Sequence, residues 1–224
     1  DAKIAWYESD GGSPPSFTER VISTTADQAF SVFATDMDGD GDTDVLSASC
    51  SDDKIAWYES DGGSPPTFTE RVISTTAGCA VSVFATDVDG DGDTDVLSAS
   101  ETDDKIAWYE SDGGSPPTFT ERVISTTADS AFSVFATDVD GDGDTDVLSA
   151  SWNDRKITWY AHGCEGDVNA DGLVDPLDFG FVLALFGCDV GAGNPNCDTA
   201  DVNGDGLVDP LDSGFVLARF GTCD

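Results

Sequence analysis

Basic residues are scarce in this chain: nine lysines and arginines stand against 45 aspartates and glutamates, which gives a formal net charge of −36. Nucleic-acid binding needs a basic surface that neutralises phosphates, and anionic membrane surfaces attract the same basic residues. The composition therefore argues against nucleic acid as a partner and against binding to an anionic membrane surface.

Histidine and long apolar segments are nearly absent as well. His162 is the single histidine, so a Ser-His-Asp or Cys-His arrangement has little to build on. No apolar run approaches the roughly 20 residues that span a bilayer, which predicts no membrane insertion. Two carboxylates could in principle form a glycosidase pair, but no such pair stands apart from the repeats described below. We therefore predict a protein that is not an enzyme.

What the chain does contain is a repeat with a period of 51 residues. The segment Asp-x-Asp-Gly-Asp-Gly-Asp-Thr-Asp occurs at Asp36–Asp44, Asp87–Asp95 and Asp138–Asp146, and a Trp-Tyr pair recurs at the same spacing. A fixed period of about 20–50 residues is typical of architectures in which one supersecondary unit stacks on copies of itself.

Each repeat predicts four short antiparallel strands. In the second repeat, β-branched, aromatic and alternating residues mark strands over Ala80–Thr86, Val96–Ser100, Lys105–Glu110 and Phe119–Ser125. Tight turns join them, including the Gly- and Pro-rich Asp112–Pro117. This pattern predicts a mainly β fold of β-propeller blades. The repeats begin and end in a third strand, so we expect three inner strand pairs flanked by partial blades.

The acidic loops between the first two strands indicate cation binding. Five aspartates within nine residues repel one another unless cations offset their charge. Carboxylates at alternate positions, with glycine permitting a tight turn, provide the oxygen ligands that calcium prefers. A solvated acidic surface is the alternative, and the strict alternation disfavours it for these loops.

The loops with their flanking strands, FATDMDGDGDTDVLSAS once and FATDVDGDGDTDVLSAS twice, resemble FG-GAP/VCBS-type propeller repeats over about residues 1–161. The resemblance implies one calcium ion per loop, held by four carboxylates and a backbone carbonyl. The implied carboxylate ligands are Asp36, Asp38, Asp40 and Asp44; Asp87, Asp89, Asp91 and Asp95; and Asp138, Asp140, Asp142 and Asp146. The implied carbonyl ligands are those of Asp42, Asp93 and Asp144.

Residues that differ between the repeats are the better candidates for binding a ligand, because identical positions usually serve the shared scaffold. Trp152 is one, since Cys50 and Glu101 occupy its place in the other repeats. The repeated Trp-Tyr pairs could stack on sugars, but a Trp that recurs in every blade is more typical of packing between blades. Cys50 and Cys79 are unique to their repeats as well, and a disulfide can join them if their loops are neighbours.

A second, shorter repeat follows. Asp167–Phe186 (DVNADGLVDPLDFGFVLALF) recurs as Asp201–Phe220 (DVNGDGLVDPLDSGFVLARF). Each copy opens with Asp-x-Asn-x-Asp-Gly and has carboxylates at loop positions nine and twelve, which is EF-hand-type calcium spacing with Asp in place of the final Glu. Apolar residues at helical spacing follow. Pro176 and Pro210 suit the first turn of a helix, where no backbone donor is lost.

Two loop–helix units of this kind resemble the dockerin family over about residues 164–224. The resemblance implies two further calcium ions, about five in all, and a cohesin-like protein partner. The implied ligands are Asp167, Asn169, Asp171, Asp175 and Asp178 with the Leu173 carbonyl, and Asp201, Asn203, Asp205, Asp209 and Asp212 with the Leu207 carbonyl. Symmetric placement favours the disulfides Cys164–Cys188 and Cys197–Cys223 among the 15 pairings that six cysteines allow.

The six cysteines indicate an oxidising compartment, so we expect an extracellular or cell-surface protein. Because Asp1 lies inside a repeat, we expect a processed or trimmed product. The predicted domains are residues 1–161 and 164–224. We predict a non-catalytic structural or adhesive module that assembles with its own copies or with partner proteins. A glycan-binding, lectin-like propeller and a non-catalytic part of a polysaccharide-degrading enzyme are the alternatives.

Overall fold

The computed structural model describes residues 2–141, 143–162, 173–174, 182–186, 188, 200, 202, 207–217 and 221–222. The chain divides into two compact units. The first comprises residues 1–137 and 146–160, and the second comprises residues 138–145 and 161–224.

Antiparallel sheets that follow one another along the chain make up the first unit. β1 (Ile4–Ser9) and β2 (Phe17–Ser23) form a two-stranded sheet. Two four-stranded sheets follow: β3 (Ala29–Thr35), β4 (Asp44–Ser49), β5 (Lys54–Ser60) and β6 (Phe68–Ser74); then β7 (Ala80–Thr86), β8 (Asp95–Ser100), β9 (Lys105–Ser111) and β10 (Phe119–Ser125). β11 (Ala131–Thr137), β12 (Asp146–Ser151) and β13 (Lys156–Tyr160) form a three-stranded sheet.

This order confirms four antiparallel strands per repeat and partial sheets at both ends. The second strand of each repeat begins at an aspartate, one residue earlier than predicted, and β9 extends by one residue to Ser111. The earlier start has a local cause, because the Asp95 carboxylate accepts hydrogen bonds from the N–H groups of Val88 (3.0 Å) and Ser111 (2.8 Å) and so lies within the sheet.

Alternating side chains of successive sheets pack against each other to form the core. Leu46 and Trp57 of the first four-stranded sheet contact a buried cluster that includes Val83, Val96 and Tyr109 of the second. A similar cluster joins the second four-stranded sheet to the three-stranded sheet. Trp57 therefore packs between sheets as predicted for the repeated tryptophans, and Trp108 packs half-buried against the second cluster, whereas Trp159 of the last sheet is 47 % exposed.

Short links also hold successive sheets together on the side of the β4–β5 loops. Asp53, at a positive φ of 52°, accepts hydrogen bonds from the N–H of Ala77 through its carbonyl (3.1 Å) and from the N–H of Cys79 through Oδ1 (2.8 Å). The predicted Cys50–Cys79 disulfide is confirmed and crosses the same junction. At the next junction, the Ser130 hydroxyl donates to Glu101 Oε1 (3.3 Å).

In the second unit, β14 (Leu173–Val174) pairs antiparallel with β15 (Gly221–Thr222), and α1 spans Pro210–Leu217. Asp209 caps α1, because its Oδ1 accepts the Leu211 N–H at 2.7 Å, and Pro210 occupies the first turn as predicted. Val182, Ala200, Val208 and Val216 form a buried cluster.

Cys188 is disulfide-bonded, whereas Cys164, Cys197 and Cys223 lie outside the described residues, so the two predicted C-terminal pairs stay predictions. Within the part of the chain that is described, no helix is long and apolar enough to cross a membrane.

Candidate metal centres

Each acidic loop folds around its own first aspartate. Asp36 accepts hydrogen bonds from the N–H groups of Gly39 (Oδ1, 2.8 Å) and Gly41 (Oδ2, 2.9 Å). Both glycines have positive φ angles, 73° and 92°, which side-chain-bearing residues adopt only with strain. Asp87 is held in the same way by Gly90 and Gly92. The hydrogen bonds from these glycines therefore hold the first carboxylate in place independently of a bound ion.

The last aspartate of the loop is the buried anchor. Asp44 accepts the N–H groups of Met37 (3.0 Å) and Ser60 (2.8 Å), the same pattern as at Asp95. Burial raises the pKa of Asp95 to about 6 and also raises the pKa of Asp44. Because burial disfavours the ionised form, a cation next to these carboxylates would stabilise them as anions.

Three predicted ligands come together in each loop, with one carboxylate oxygen from each lying within 4.8 Å of the other two. The groups are Asp36, Asp38 and Asp40; Asp87, Asp89 and Asp95; and Asp138, Asp140 and Asp146. Asp44 is not part of the first group, and Asp91 is not part of the second. Asp144 lies half-buried in the third loop, and Asp142 lies outside the described residues.

The chemistry of these groups fits calcium. Burial, with the charges of neighbouring acids, raises the pKa of Asp38 and of Asp89. Every side chain in the three groups offers hard oxygen, and calcium takes six to eight oxygen ligands in a flexible arrangement. An ion held there would neutralise the mutual repulsion of the carboxylates.

The aspartates predicted to act through their backbone carbonyls direct their side chains elsewhere. The Asp42 carboxylate lies against Gly62 in the β5–β6 turn, so a Cβ at that position would overlap with it, and Asp93 lies in the same way against Gly113. Glycine at positions 62 and 113 therefore leaves the space that the Asp42 and Asp93 carboxylates occupy, which any other side chain would fill. The repeated Asp-Gly-Gly turn was the available signal, but from the sequence it indicated only a turn.

A further contact links successive loops and was missed by sequence reasoning. The Thr94 hydroxyl donates to the Asp36 carbonyl at 3.3 Å, so the second acidic loop touches the first. Thr94 belongs to the repeated acidic motif, and its position there did not indicate that its hydroxyl contacts the preceding loop.

Within residues 164–224, four predicted ligand residues are described. Asp212 is buried and accepts the Asp209 N–H at 2.7 Å, Leu173 lies in β14, and Leu207 is exposed. The other predicted ligands of this segment, Asp167, Asn169, Asp171, Asp175, Asp178, Asp201, Asn203 and Asp205, lie outside the described residues. Both C-terminal ligand sets stay predictions.

Comparison with known protein families finds two matches. The FG-GAP-like repeat family matches residues 1–47, 36–98 and 87–149, and the dockerin type I domain matches residues 165–220. Comparison with curated proteins finds no significant match. Dockerin domains bind calcium and typically bind cohesin partners, and both module types occur in extracellular or surface proteins. Both are non-catalytic module types. The chain belongs to the FG-GAP-like repeat family, with three such repeats followed by a dockerin type I domain.

Proposed function

We propose that this chain is a calcium-loaded, non-catalytic interaction protein that works outside the cell or at its surface. Residues 1–161 would act as propeller-type blades that present binding faces, and residues 164–224 would act as a dockerin that attaches them to a protein partner. The observation that carries this proposal is that each of the three acidic loops brings together the carboxylate oxygens of three aspartates, and that a dockerin match follows the repeats.

Calcium binding is the structural basis of the proposed function. We assign one ion to each acidic loop and one to each dockerin loop, five in all, with the ligand sets predicted from the sequence. Because unfolded loops cannot hold these ligands together, calcium binding stabilises the folded state. The Thr94–Asp36 contact links the first two of these sites, so an ion that orders one of the two loops would also help to fix the other.

Calcium stoichiometry tests this assignment. Native mass spectrometry should count five ions on the wild-type chain and four on a variant carrying both Asp87→Asn and Asp89→Asn. Asp27→Asn, outside the loops, is the matched control and should retain five. Excess chelator should lower the melting temperature of the wild type substantially. A melting curve that chelator leaves unchanged, starting from metal-saturated protein, would contradict the proposal.

Attachment through the dockerin domain needs its own test. A recombinant type I cohesin immobilised on a sensor should retain the full chain in calcium and release it in chelator. If calcium-loaded protein is not retained, the dockerin partner is not a cohesin of this type, and that part of the proposal is wrong.

Glycan binding is the second candidate, and one observation favours it. Trp152 is strongly exposed and its ring lies 6.3 Å from that of Phe132, so two aromatic side chains present a surface on the last sheet. Exposed aromatic faces of this kind can stack on sugars. A glycan array that shows specific retention by the wild type and none by Trp152→Ala would support this function, and equal retention by both would exclude this surface.

A further inference from the structure

The three full copies of the repeat, residues 3–53, 54–104 and 105–155, differ at only eight positions. Six of the eight lie in the loop before the first strand, at the second residue of that strand, or in the loop between the second and third strands. In the last copy these six residues are Asp129, Ser130, Phe132, Trp152, Asn153 and Arg155. Variation is therefore concentrated in two loops, the part of a fold that most often carries binding function.

Backbone hydrogen bonds bring these two loops together within each copy. In the last copy the Trp152 N–H donates to the Ser130 carbonyl at 3.0 Å, and the Asn153 N–H donates to the Asp129 carbonyl at 3.2 Å. The variable residues of one copy therefore lie side by side at one edge of the sheet.

In the first two copies, variable residues of these loops link successive sheets. Cys50 and Cys79 form a disulfide, and Glu101 accepts a hydrogen bond from the Ser130 hydroxyl at 3.3 Å. Trp152, at the same repeat position as Cys50 and Glu101, instead has its ring 6.3 Å from that of Phe132 in its own sheet. A link between sheets therefore does not account for the residue at position 152.

The two rings form an exposed aromatic surface. Trp152 is 74 % exposed and Phe132 is 51 % exposed. A large aromatic side chain presents a broad apolar face, on which the C–H groups of a sugar ring can pack. The surface is therefore suited to one face of a pyranose ring.

A polar pair lies on the same two loops. The Asn153 side-chain amide donates to Asp129 Oδ1 at 3.0 Å. This bond leaves lone pairs on the Asn153 amide oxygen and on Asp129 Oδ2, which can accept from sugar hydroxyl groups. The second copy has Gly78 and Thr102 at these positions and cannot form the pair.

Arg155 adds an unpaired positive charge to this loop. The structure describes eight of the nine lysines and arginines, and seven of the eight form ion pairs with acids. Arg155 is exposed and is the one basic residue in the described part of the chain without such a pair. Because a guanidinium group matches a carboxylate in a bidentate geometry, Arg155 favours a ligand that carries a carboxylate.

The residues that Arg155 replaces show that the positive charge is not needed for the fold. Asp53 and Asp104 occupy its position in the other copies, at φ angles of 52° and 54° against 57° for Arg155. Their carboxylates accept the N–H groups of Cys79 (2.8 Å) and Ser130 (2.9 Å). The last copy thus has an exposed cation where the others have a carboxylate that holds the next repeat.

Neighbouring charges are balanced around Arg155. Lys156 is paired with Asp154 at 2.9 Å, and Asp129 is the other nearby acid on the two loops. These positions therefore hold two acids and two basic residues, whereas the first copy has three acids and one lysine there, Asp27, Asp52, Asp53 and Lys54. An anionic ligand meets less repulsion here than at the same edge of the first copy.

We infer that these two loops of the last sheet bind a hexuronic acid residue of an acidic glycan. The pyranose ring packs on Trp152 and Phe132, its hydroxyl groups bond to the Asn153–Asp129 pair, and its carboxylate pairs with Arg155. The inference rests on the glycan-binding candidate above and names the ligand class of that site.

Matched ligands test the carboxylate. An array carries oligosaccharides of glucuronic, galacturonic and mannuronic acid, each as the free acid and as the methyl ester, with sulfated neutral sugars beside them. At constant calcium and ionic strength, the wild type should bind at least one free acid about tenfold more tightly than its ester, which lacks the charge. Trp152→Ala should lose binding to both forms.

Matched variants test the guanidinium. Arg155→Asp restores the residue of the other copies, so it should keep the melting temperature, lower affinity for the free acid at least about tenfold and leave ester binding unchanged. Arg155→Gln removes the charge without adding a negative one and should abolish the same preference. Lys156→Gln is the control, because it removes a neighbouring positive charge that is already paired, and it should keep the preference.

Three results would overturn the inference: equal binding of acids and esters by the wild type, a preference for sulfated neutral sugars, or an equal loss of acid binding in Lys156→Gln and Arg155→Gln. Ester binding through Trp152 without a preference for acids would refute the ligand class but keep the glycan-binding candidate, whereas no retention of any glycan would refute both. Calcium stoichiometry and retention on cohesin test the proposed function independently of these outcomes.

Discussion

The middle sheet, β7–β10, and the partial sheets at the two ends carry nearly the same residues in different surroundings. Ile106 of the middle sheet is covered by a following sheet, whereas Ile157 of the last sheet is exposed. In repeat proteins, stability is approximately the sum of each unit's own stability and the interfaces with its neighbours. The comparison therefore separates what a repeat encodes for itself from what its neighbours supply.

The largest expected difference in stability between the middle and last sheets is at the isoleucine of the third strand. Ile106→Ala removes buried methyl groups from the junction of two sheets and should lower the free energy of unfolding by about 2–5 kcal/mol. Ile157→Ala changes the same repeat position where it is exposed, so its effect should stay within about 0.5 kcal/mol. Denaturant melts in saturating calcium measure both. Equal effects would show that burial at this position does not depend on a neighbouring sheet.

The next difference lies between the two junctions of the first unit. Replacing both Cys50 and Cys79 by serine removes a link across 29 residues of sequence, which should cost about 3–4 kcal/mol by the loop-entropy relation. Glu101→Ala removes the corresponding hydrogen bond to Ser130, which should cost about 1 kcal/mol. Thermal melts in calcium compare the two. A larger loss for Glu101→Ala would mean that the disulfide contributes little beyond the packing around it.

Sequence patterns predicted the strands to within a residue because alternation and glycine-rich turns are local signals. The sequence also indicated that Cys50 and Cys79 could pair if their loops were neighbours, and the disulfide confirms that they are. The roles of Asp53, Ser31 and Thr94 were not predicted, because each depends on a partner about 25 to 60 residues away in a neighbouring repeat. The sequence also did not predict that Val32 and Ile157 are exposed (58 % and 86 %), because identical residues in different repeats give identical local signals.

A smaller effect should separate Asp104 from Arg155, its counterpart in the last repeat. Asp104 and Arg155 have similar positive φ angles of 54° and 57°. The Asp104 Oδ1 accepts the Ser130 N–H at 2.9 Å, and the arginine at position 155 has no carboxylate to accept such a bond. Asp104→Asn tolerates the backbone conformation but removes the charge of the acceptor, so unfolding should become easier by about 1 kcal/mol. Arg155→Asn should be neutral or slightly stabilising, because asparagine favours this conformation. Equal destabilisation of both variants would contradict a role for the Asp104 carboxylate in holding the next repeat.

The smallest effect should appear at a turn that needs no neighbouring sheet. The Thr67 hydroxyl donates to Asp61 Oδ2 at 2.6 Å, and the N–H groups of Thr67 and Gly63 donate to Oδ1, which lowers the pKa of Asp61 from 3.8 to about 2. Asp10, in the partial sheet at the start, has its pKa lowered to about 2 by the equivalent bonds from Ser16 and Gly12. End and middle repeats should therefore behave alike here.

A titration followed by carboxyl NMR tests this equality. Asp10 and Asp61 should both titrate well below 3.8, and Thr67→Val should raise the pKa of Asp61 toward that value while leaving Asp10 unchanged. A carboxylate whose folded pKa is lowered stabilises the fold above its unfolded pKa, and the contribution is lost as the pH falls through the folded pKa. The stability difference between wild type and Thr67→Val should therefore be constant near neutral pH and disappear between pH 3.8 and about 2. If Asp10 instead titrated near its ordinary value, the turn would depend on a neighbouring sheet. The claim that each repeat stabilises this turn by its own residues would then be wrong.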